Sequence, residues 1–210
     1  FMKKSRLFMC VLVALSAVGC GSQTTQTESI TVISERLSKE RPETSTALST
    51  TTVSVVPETL HKIAFLGDVS CAASKRRADR CADEDVRDMI AEWGPERVVI
   101  VGDVQYPSHG MRDYTESFLP TWGAFRSITK AVPGNHEYEM SQASGYYEAW
   151  GADAGMWSER IGEWLLVGIN TSDGCGVVKC DVGSEQYNWL AQQIQNTECV
   201  VVFGHHPRVS

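Results

Sequence analysis

Residues 97–106 read Arg-Val-Val-Ile-Val-Gly-Asp-Val-Gln-Tyr, an apolar run that stops at a glycine and an aspartate. A β-branched run with no polar residue after Arg97 is typical of a strand that is buried on both faces. The Gly-Asp pair that follows consists of turn residues and ends the strand. The pattern therefore places the carboxylate of Asp103 directly at the end of a core strand.

The same pattern, an apolar run followed closely by a polar residue, occurs at three other places. In each, an apolar run is followed by a polar residue that can bind a metal: 62–66 with Asp68, 129–132 with Asn135, and 199–203 with His205. Ligand sites of open α/β sheets gather at the carboxyl ends of the strands. We therefore expect these three residues and Asp103 to lie in one cleft.

Helical patterns lie between the predicted strands. Apolar residues at helical spacing predict a helix over 83–93, with Asp83 as its cap, and another over 184–195, with Ser184 as its cap. The alternation of strands and helices indicates an α/β fold. We expect a layered β-sandwich flanked by helices.

The N-terminus has the features of an export signal. Three basic residues (Lys3, Lys4 and Arg6) precede an apolar run over 7–18 that ends in Ala17-Val18-Gly19-Cys20. The run is too short for a comfortable membrane span. Small residues before Cys20 resemble a lipobox, which predicts a signal peptide over 1–20 and a lipid on Cys20. The protein is then a membrane-anchored lipoprotein, or a periplasmic or extracellular protein if the lipid is not added.

A linker is predicted after the signal peptide. Ser and Thr supply 17 of the 38 residues from 22 to 59, and aromatic residues are absent there. This composition is typical of a disordered tether, here assigned to 21–59. The remaining residues, 60–210, form the predicted folded domain.

The seven cysteines fit an oxidising compartment. Cys71 with Cys81 and Cys175 with Cys180 are the simplest pairs by proximity, which leaves Cys199 to pair with one of these or with a residue beyond the chain. No Cys-x-x-Cys spacing supports a zinc knuckle.

The net charge of −7 argues against a nucleic-acid-binding surface. It is compatible with an anionic substrate, because bound metal cations would dominate the local field. Contact with a membrane is expected only through the lipid anchor.

Four motifs occur in a fixed order: Asp68, Gly102-Asp103-x-x-Tyr106, Gly134-Asn135-His136-Glu137 and Val202-x-x-His205. Taken alone each is weak, and His136 by itself is more readily explained as a surface histidine. Gly134 and Asn135 are residues that favour turns, whereas the sequence offers no structural reason for His136 and Glu137 after them. In this order, however, the motifs resemble the signature of the calcineurin-like metallophosphoesterases.

Two positions set this chain apart within that superfamily. Ser70 stands where the common first motif has a histidine, and Tyr106 adds a phenol to the second motif. Both features resemble purple acid phosphatases, and the wider pattern resembles a secreted bacterial branch near the purple and alkaline phosphatases. Phenolate is a hard anionic ligand, so the resemblance implies iron at the tyrosine site and zinc, manganese or Fe(II) at the other.

The resemblance also implies a role for each matching residue. The first metal is assigned to Asp68 and Tyr106, and the second to Asn135 and His205, with Asp103 bridging the two. His136 contacts the phosphate or protonates the leaving oxygen, and His206 is a weaker candidate for substrate contact. The implied reaction is the hydrolysis of a small-molecule phosphate monoester by hydroxide bound to a dinuclear metal centre.

Two alternatives remain from the sequence. The same centre could hydrolyse phosphodiesters, or the protein could be a non-catalytic surface lipoprotein. The presence of Asp103, Asn135 and His136 together favours an enzyme. The superfamily's fifth motif, Gly-His-x-His, does not occur in the 210 residues. We therefore expect the chain to be truncated at its C-terminus, and in this form poorly folded or nearly inactive.

Overall fold

The apolar run after Arg97 forms an interior strand of a four-stranded sheet. The computed structural model describes residues 13–17, 60–71, 81–106 and 110–207. The order in the first sheet is β1 (Val13–Ala17), β2 (His61–Leu66), β3 (Arg97–Val101) and β4 (Thr129–Val132). Strands β2, β3 and β4 are parallel, so their carboxyl ends share one edge.

Strand β1 lies within the stretch predicted to be a signal peptide. It pairs antiparallel with β2, with Val13 opposite Phe65 and Ala17 opposite His61. Cys20 and the predicted linker over 21–59 lie outside the described residues. The signal peptide, the lipid anchor and the linker stay predictions.

The second sheet has three strands. They are β5 (Trp157–Ile161), β6 (Trp164–Gly168) and β7 (Val200–Phe203). Strands β5 and β6 form an antiparallel hairpin, and β7 lies parallel to β6. The apolar run over 199–203 predicted β7, whereas no predicted run corresponds to β5.

The two sheets pack against each other through a shared core. This inter-sheet core contains residues of both sheets: Ile63, Phe65, Val99, Val132, Trp157, Ile161 and Leu166. The ring of Phe203 on β7 meets Phe65 edge-on at 5.4 Å and Trp157 at 5.2 Å. Because alternate residues of a strand point to opposite faces, the even-numbered residues of β2 and β3 face away from this core.

Helices cover that other face. They are α1 (Asp83–Trp93), α2 (Met111–Asp113), α3 (Leu119–Trp122) and α4 (Ser144–Trp150). A π-helical turn (Tyr114–Phe118) joins α2 to α3, and a 3-10 helix (Gly123–Ile128) leads into β4. Large aromatic side chains such as Trp122 and Tyr146 pack there against Leu66 and Ile100. A mixed α/β fold is therefore confirmed.

The remaining helices lie in the segments between β4 and β5 and between β6 and β7. They comprise 3-10 helices at His136–Glu139, Ser141–Ala143 and Ala152–Gly155, and the α-helices α5 (Ser172–Cys175) and α6 (Glu185–Ile194). Among the described residues, no helix is both long enough and apolar enough to span a membrane.

One predicted cap is confirmed and one is wrong. The Ser184 hydroxyl accepts a hydrogen bond from the Tyr187 backbone N–H at 3.2 Å, so it caps α6. Helix α1 instead begins at Asp83 itself, and its capping residue Ala82 makes no side-chain bond. The Asp83 carboxylate is buried and accepts the backbone N–H of Cys71 at 3.4 Å, which takes it away from the helix end.

Both predicted disulfides are confirmed. Cys71 bonds to Cys81, and Cys175 bonds to Cys180. Cys199 is buried and also disulfide-bonded. Since the other four are paired among themselves, the expectation that Cys199 could pair with one of them was wrong.

Truncating a side chain of the inter-sheet core should destabilise the fold. Leu166 is fully buried at the middle of β6, so Leu166→Ala should lower the free energy of unfolding by about 3 kcal/mol through lost burial and the cavity left behind. Chemical denaturation measures this. Leu60→Ala is the matched control, because Leu60 is 59% exposed; equal effects of the two substitutions would contradict the packing described.

Candidate metal centre

Asp68 follows β2, and Asp103 follows β3. The two loops are joined by backbone hydrogen bonds. The Asp68 N–H donates to the Gly102 carbonyl at 3.3 Å, and the Val69 N–H donates to the Asp103 carbonyl at 3.1 Å. Both aspartates have a left-handed backbone, with φ of 56° and 51°. That conformation is uncommon outside glycine and tends to occur where surrounding structure holds a functional residue in place.

Tyr106 lies between the two aspartates. Its hydroxyl donates to Asp68 Oδ1 at 2.6 Å and also to Asp103 Oδ2. Burial, together with these hydrogen bonds, raises the pKa of Tyr106 well above its usual value. The phenol therefore keeps its proton, which offsets the repulsion between two adjacent carboxylates.

His205 approaches Asp103 from the second sheet. Its Nδ1 lies 2.9 Å from the carbonyl oxygen of Val101, and a carbonyl can only accept, so Nδ1 carries the proton. The lone pair on Nε2 then faces Asn135 Oδ1 at 3.1 Å and Asp103 Oδ2 at 3.5 Å. Three acceptor atoms converge here, which is the arrangement that a cation requires.

Two glycines make this close approach possible. A Cβ at Gly102 would lie 2.4 Å from His205 Nδ1, and one at Gly134 would lie 2.1 Å from Asp103 Oδ1. Gly102 also has a φ of 96°. Any side chain at either position would displace a candidate ligand.

Glu137 holds the loops in place. Its buried carboxylate accepts backbone N–H bonds from Asp103 at 2.9 Å, Val104 at 2.8 Å and Gly134 at 2.6 Å. Sequence reasoning gave this residue no structural role, and that was wrong. A glutamate buried in a domain must have partners, but two of the three, the backbone N–H groups of Asp103 and Val104, lie 34 and 33 residues away, and a sequence pattern does not reveal them.

His136 lies at the edge of the cluster. Its backbone N–H donates to Asp103 Oδ1 at 3.1 Å, and its Nδ1 lies 2.8 Å from Glu139 Oε1. Nε2 is 3.8 Å from Asp103 Oδ2, and the side chain is 35% exposed. A substrate could therefore reach this imidazole beside the candidate ligands.

His206 is turned toward a different segment. Its backbone N–H donates to Thr171 Oγ1 at 2.8 Å, and its Nδ1 lies 3.1 Å from the Gly174 backbone nitrogen. The ring stays close to His205, with 4.8 Å between the ring centroids. The structure thus places His206 beside the site, held by the loop around α5.

A buried asparagine joins the second sheet to this region, and sequence reasoning assigned it no role. The Asn170 backbone exchanges two hydrogen bonds with the side chain of Gln186, at 2.7 and 2.9 Å. Its side-chain amide donates to the Tyr138 hydroxyl at 2.7 Å. Tyr138 ends the turn that carries Asn135 and His136, so Asn170 fixes that turn relative to β6.

A second group of side chains with atoms that can bind a metal lies outside this cluster. Cys71, Cys81 and Asp83 place three such atoms within 4.8 Å of one another. Because both sulfurs are bonded to each other, this group does not offer thiolates to a cation.

Comparison with known families agrees with this geometry. The sequence profile described as calcineurin-like phosphoesterase matches residues 61–209. The chain belongs to the calcineurin-like phosphoesterase family. Membership implies metal-dependent phosphoesterase activity, and members of the family typically bind a dinuclear metal centre. A search of curated proteins finds no match to the chain.

Neutralising the buried carboxylate should loosen the ligand loops. Glu137→Gln puts an amide group among three backbone donors, so we expect a loss of about 3 kcal/mol in the free energy of unfolding. The divalent-metal affinity should fall as well, because Asp103 and Gly134 lose an anchor. Calorimetry with Zn²⁺ or Mn²⁺ and thermal unfolding measure the two effects. Glu148→Gln, at an exposed position, should change neither, and wild-type behaviour of Glu137→Gln would contradict the anchoring role.

Proposed function

We propose that the protein hydrolyses phosphate monoesters at a dinuclear metal centre built around Asp103. The observation that carries this proposal is that Asp103 contacts both halves of the cluster. Asp103 Oδ2 accepts the hydroxyl of Tyr106, which also donates to Asp68, and the same oxygen lies 3.5 Å from His205 Nε2. Among protein side chains, a carboxylate on a short arm is well suited to serve two cations at once.

The residues present fit two cations of different character. Asp68, Tyr106 and Asp103 would hold the first through hard oxygen atoms. Asp103, Asn135 and His205 would hold the second through a carboxylate, an amide oxygen and an imidazole. Bound there, the metals would supply Lewis acidity toward the phosphoryl group and an activated water.

His136 is proposed to contact the phosphate or protonate the leaving oxygen. The acceptor Glu139 Oε1, 2.8 Å from Nδ1, orients the ring. Nε2 lies 3.8 Å from Asp103 Oδ2 in a side chain that is 35% exposed, so it is next to the candidate ligands and accessible to a substrate. Imidazole is suited to proton transfer near neutral pH. His206, held by Thr171 and Gly174, is the weaker candidate for contact with the substrate.

A centre of the purple acid phosphatase type is the finer part of the proposal. The Tyr106 hydroxyl already lies within hydrogen-bonding distance of both aspartates. Ser70, where the superfamily commonly has histidine, is fully buried and forms a backbone bridge to Gln105. We infer that the phenol replaces an imidazole at the first site, which favours iron there and zinc, manganese or Fe(II) at the second.

Removing the bridging charge should abolish metal binding and activity together. Asp103→Asn is expected to weaken binding of the metals by at least about 100-fold, because both sites lose an anionic ligand. Calorimetry with Zn²⁺ and Mn²⁺ measures affinity. The exposed substitution Asp181→Asn is the control with the same charge change. Unchanged affinity in Asp103→Asn would remove the basis for a shared ligand.

The class of ester is decided by comparing two substrates on the metal-loaded protein extended to include a Gly-His-x-His motif, because the 210 residues alone are expected to be nearly inactive. Turnover of p-nitrophenyl phosphate that Asp103→Asn loses supports the monoesterase proposal. Turnover of bis-p-nitrophenyl phosphate alone would replace it with a phosphodiesterase. Metal binding without turnover of either ester would favour a non-catalytic binding protein.

Iron binding gives a test of Tyr106 that is independent of activity. A phenolate bound to Fe(III) produces a visible charge-transfer band, so the iron-loaded protein should be coloured. Tyr106→Phe should lose the band while keeping most of its fold, since only the hydroxyl is removed. Tyr187→Phe, a change at an exposed helix position, is the matched control. A band that survives in Tyr106→Phe would show that another group binds the iron.

A further inference from the structure

A cleft lies at the end of β4 opposite the candidate metal centre. Thr129 and Lys130 begin β4 and line the cleft, whereas Asn135 and His136 follow the other end of the strand. Its volume is about 760 Å³, within the range of roughly 300–1,000 Å³ that small-molecule sites occupy. None of the residues assigned above to metal binding or catalysis lines it.

Two cations in this cleft are held against indole rings. The guanidinium carbon of Arg126 lies 4.1 Å from the ring centroid of Trp150, and its Nη2 donates to the Ala149 carbonyl at 3.0 Å. The ammonium of Lys130 lies 5.6 Å from the ring of Trp157. Cation–π contacts restrict both side chains, so a ligand would have less side-chain freedom to remove on binding.

Among the described residues, no ion pair balances the charge of these two cations. Within residues 60–71, 81–106 and 110–207, neither Arg126 nor Lys130 has a carboxylate oxygen within 4.0 Å. This holds although the chain has 26 acidic and 19 basic residues. The acidic residue that lines the cleft, Asp153, pairs with neither. Two cations that line one cleft give it a positive potential, which favours an anionic ligand.

The rest of the cleft wall supplies apolar surface. Met156, Ala154 and Trp157 line it beside the two cations. Trp157 is fixed by the hydrogen bond from its Nε1 to the Ala131 carbonyl at 2.7 Å. A rigid apolar wall next to two oriented cations is complementary to a molecule with an anionic group and an apolar body.

We propose that this cleft binds a small organic anion. Its phosphate or carboxylate group would pair with Arg126 and Lys130, and its apolar body would lie against Met156 and Trp157. The site is separate from the proposed reaction centre, since the two lie at opposite ends of β4. Binding here is therefore independent of whether the phosphoesterase proposal holds.

Isothermal titration calorimetry tests the proposal with defined probes. Naphthoate represents a carboxylate ligand, and naphthylphosphonate, which has the same ring system, represents a phosphate ester that cannot be hydrolysed. Naphthylmethanol is the neutral control and inorganic phosphate is the control without an apolar body. We expect both organic anions to bind more tightly than either control, and the tighter of the two identifies the anionic group.

The variants separate this cleft from the metal centre. Arg126→Gln with Lys130→Gln should weaken binding of both organic anions by at least about tenfold. Arg160→Gln with Lys179→Gln removes the same charge at exposed positions outside the cleft and should have no effect. Because the side chain of Lys130 is exposed, Lys130→Gln alone should leave the fold intact. This single variant should also weaken binding of both organic anions. Equal binding by wild type and the cleft variants, or inorganic phosphate binding as tightly as the organic anions, would overturn the proposal.

Discussion

The carboxylate of Glu137 is the group on which the geometry of the candidate metal centre depends. It is fully buried, and it accepts backbone N–H bonds from Asp103, Val104 and Gly134. A buried charge is costly unless it is fully hydrogen-bonded, so this carboxylate stabilises only one arrangement of the loops after β3 and β4. That arrangement keeps Asp103 in a left-handed backbone conformation, which a non-glycine residue seldom adopts on its own.

The centre is shared between the two sheets, so its geometry also requires that the sheets pack in one position. Asp68, Asp103 and Asn135 come from the first sheet, and His205 follows β7 in the second. Below the site, Phe203 packs between Phe65 and Trp157. Beside the site, Asn170 ties the end of β6 to Tyr138. Apolar packing therefore sets the distance between the sheets, and a buried polar contact sets the alignment of the ligand turns.

The apolar runs made the strands of the parallel sheet predictable, because a strand buried on both faces has almost no polar residues. Asp68, Asp103 and Asn135 could be placed together for the same reason, since parallel strands end at one edge, whereas His205 reaches them from the second sheet through packing that an apolar run does not reveal. Strand β5 was not predictable in this way. Its middle residues, Ser158 to Arg160, are polar, and they are accommodated by partners distant in sequence, such as Arg97 for Glu159 and Gln193 for Ser158.

The same distinction explains the errors at single residues. Ser184 caps a helix through a bond three residues away, which local sequence reveals. Asp83 has the same local signal, but tertiary structure directs its carboxylate to Cys71, next to the disulfide. Glu137 and Asn170 make their contacts to backbone and side chains of other segments, and these contacts exist only once the sheets have formed. Contacts between residues close in sequence could therefore be predicted, whereas polar contacts between distant segments could be identified only from the folded structure.

The position of Tyr106 explains how Asp68 and Asp103 can lie side by side. Asp68 and Asp103 lie side by side, and one phenol proton is shared between them by hydrogen bonds. This proton partly neutralises the pair, while burial and the two carboxylates raise the pKa of Tyr106. If Asp68, Asp103 and Tyr106 held a cation, its charge would offset the carboxylate repulsion, and the phenol would give up its proton to bind through its oxygen. Metal binding at this candidate site would therefore be coupled to proton release.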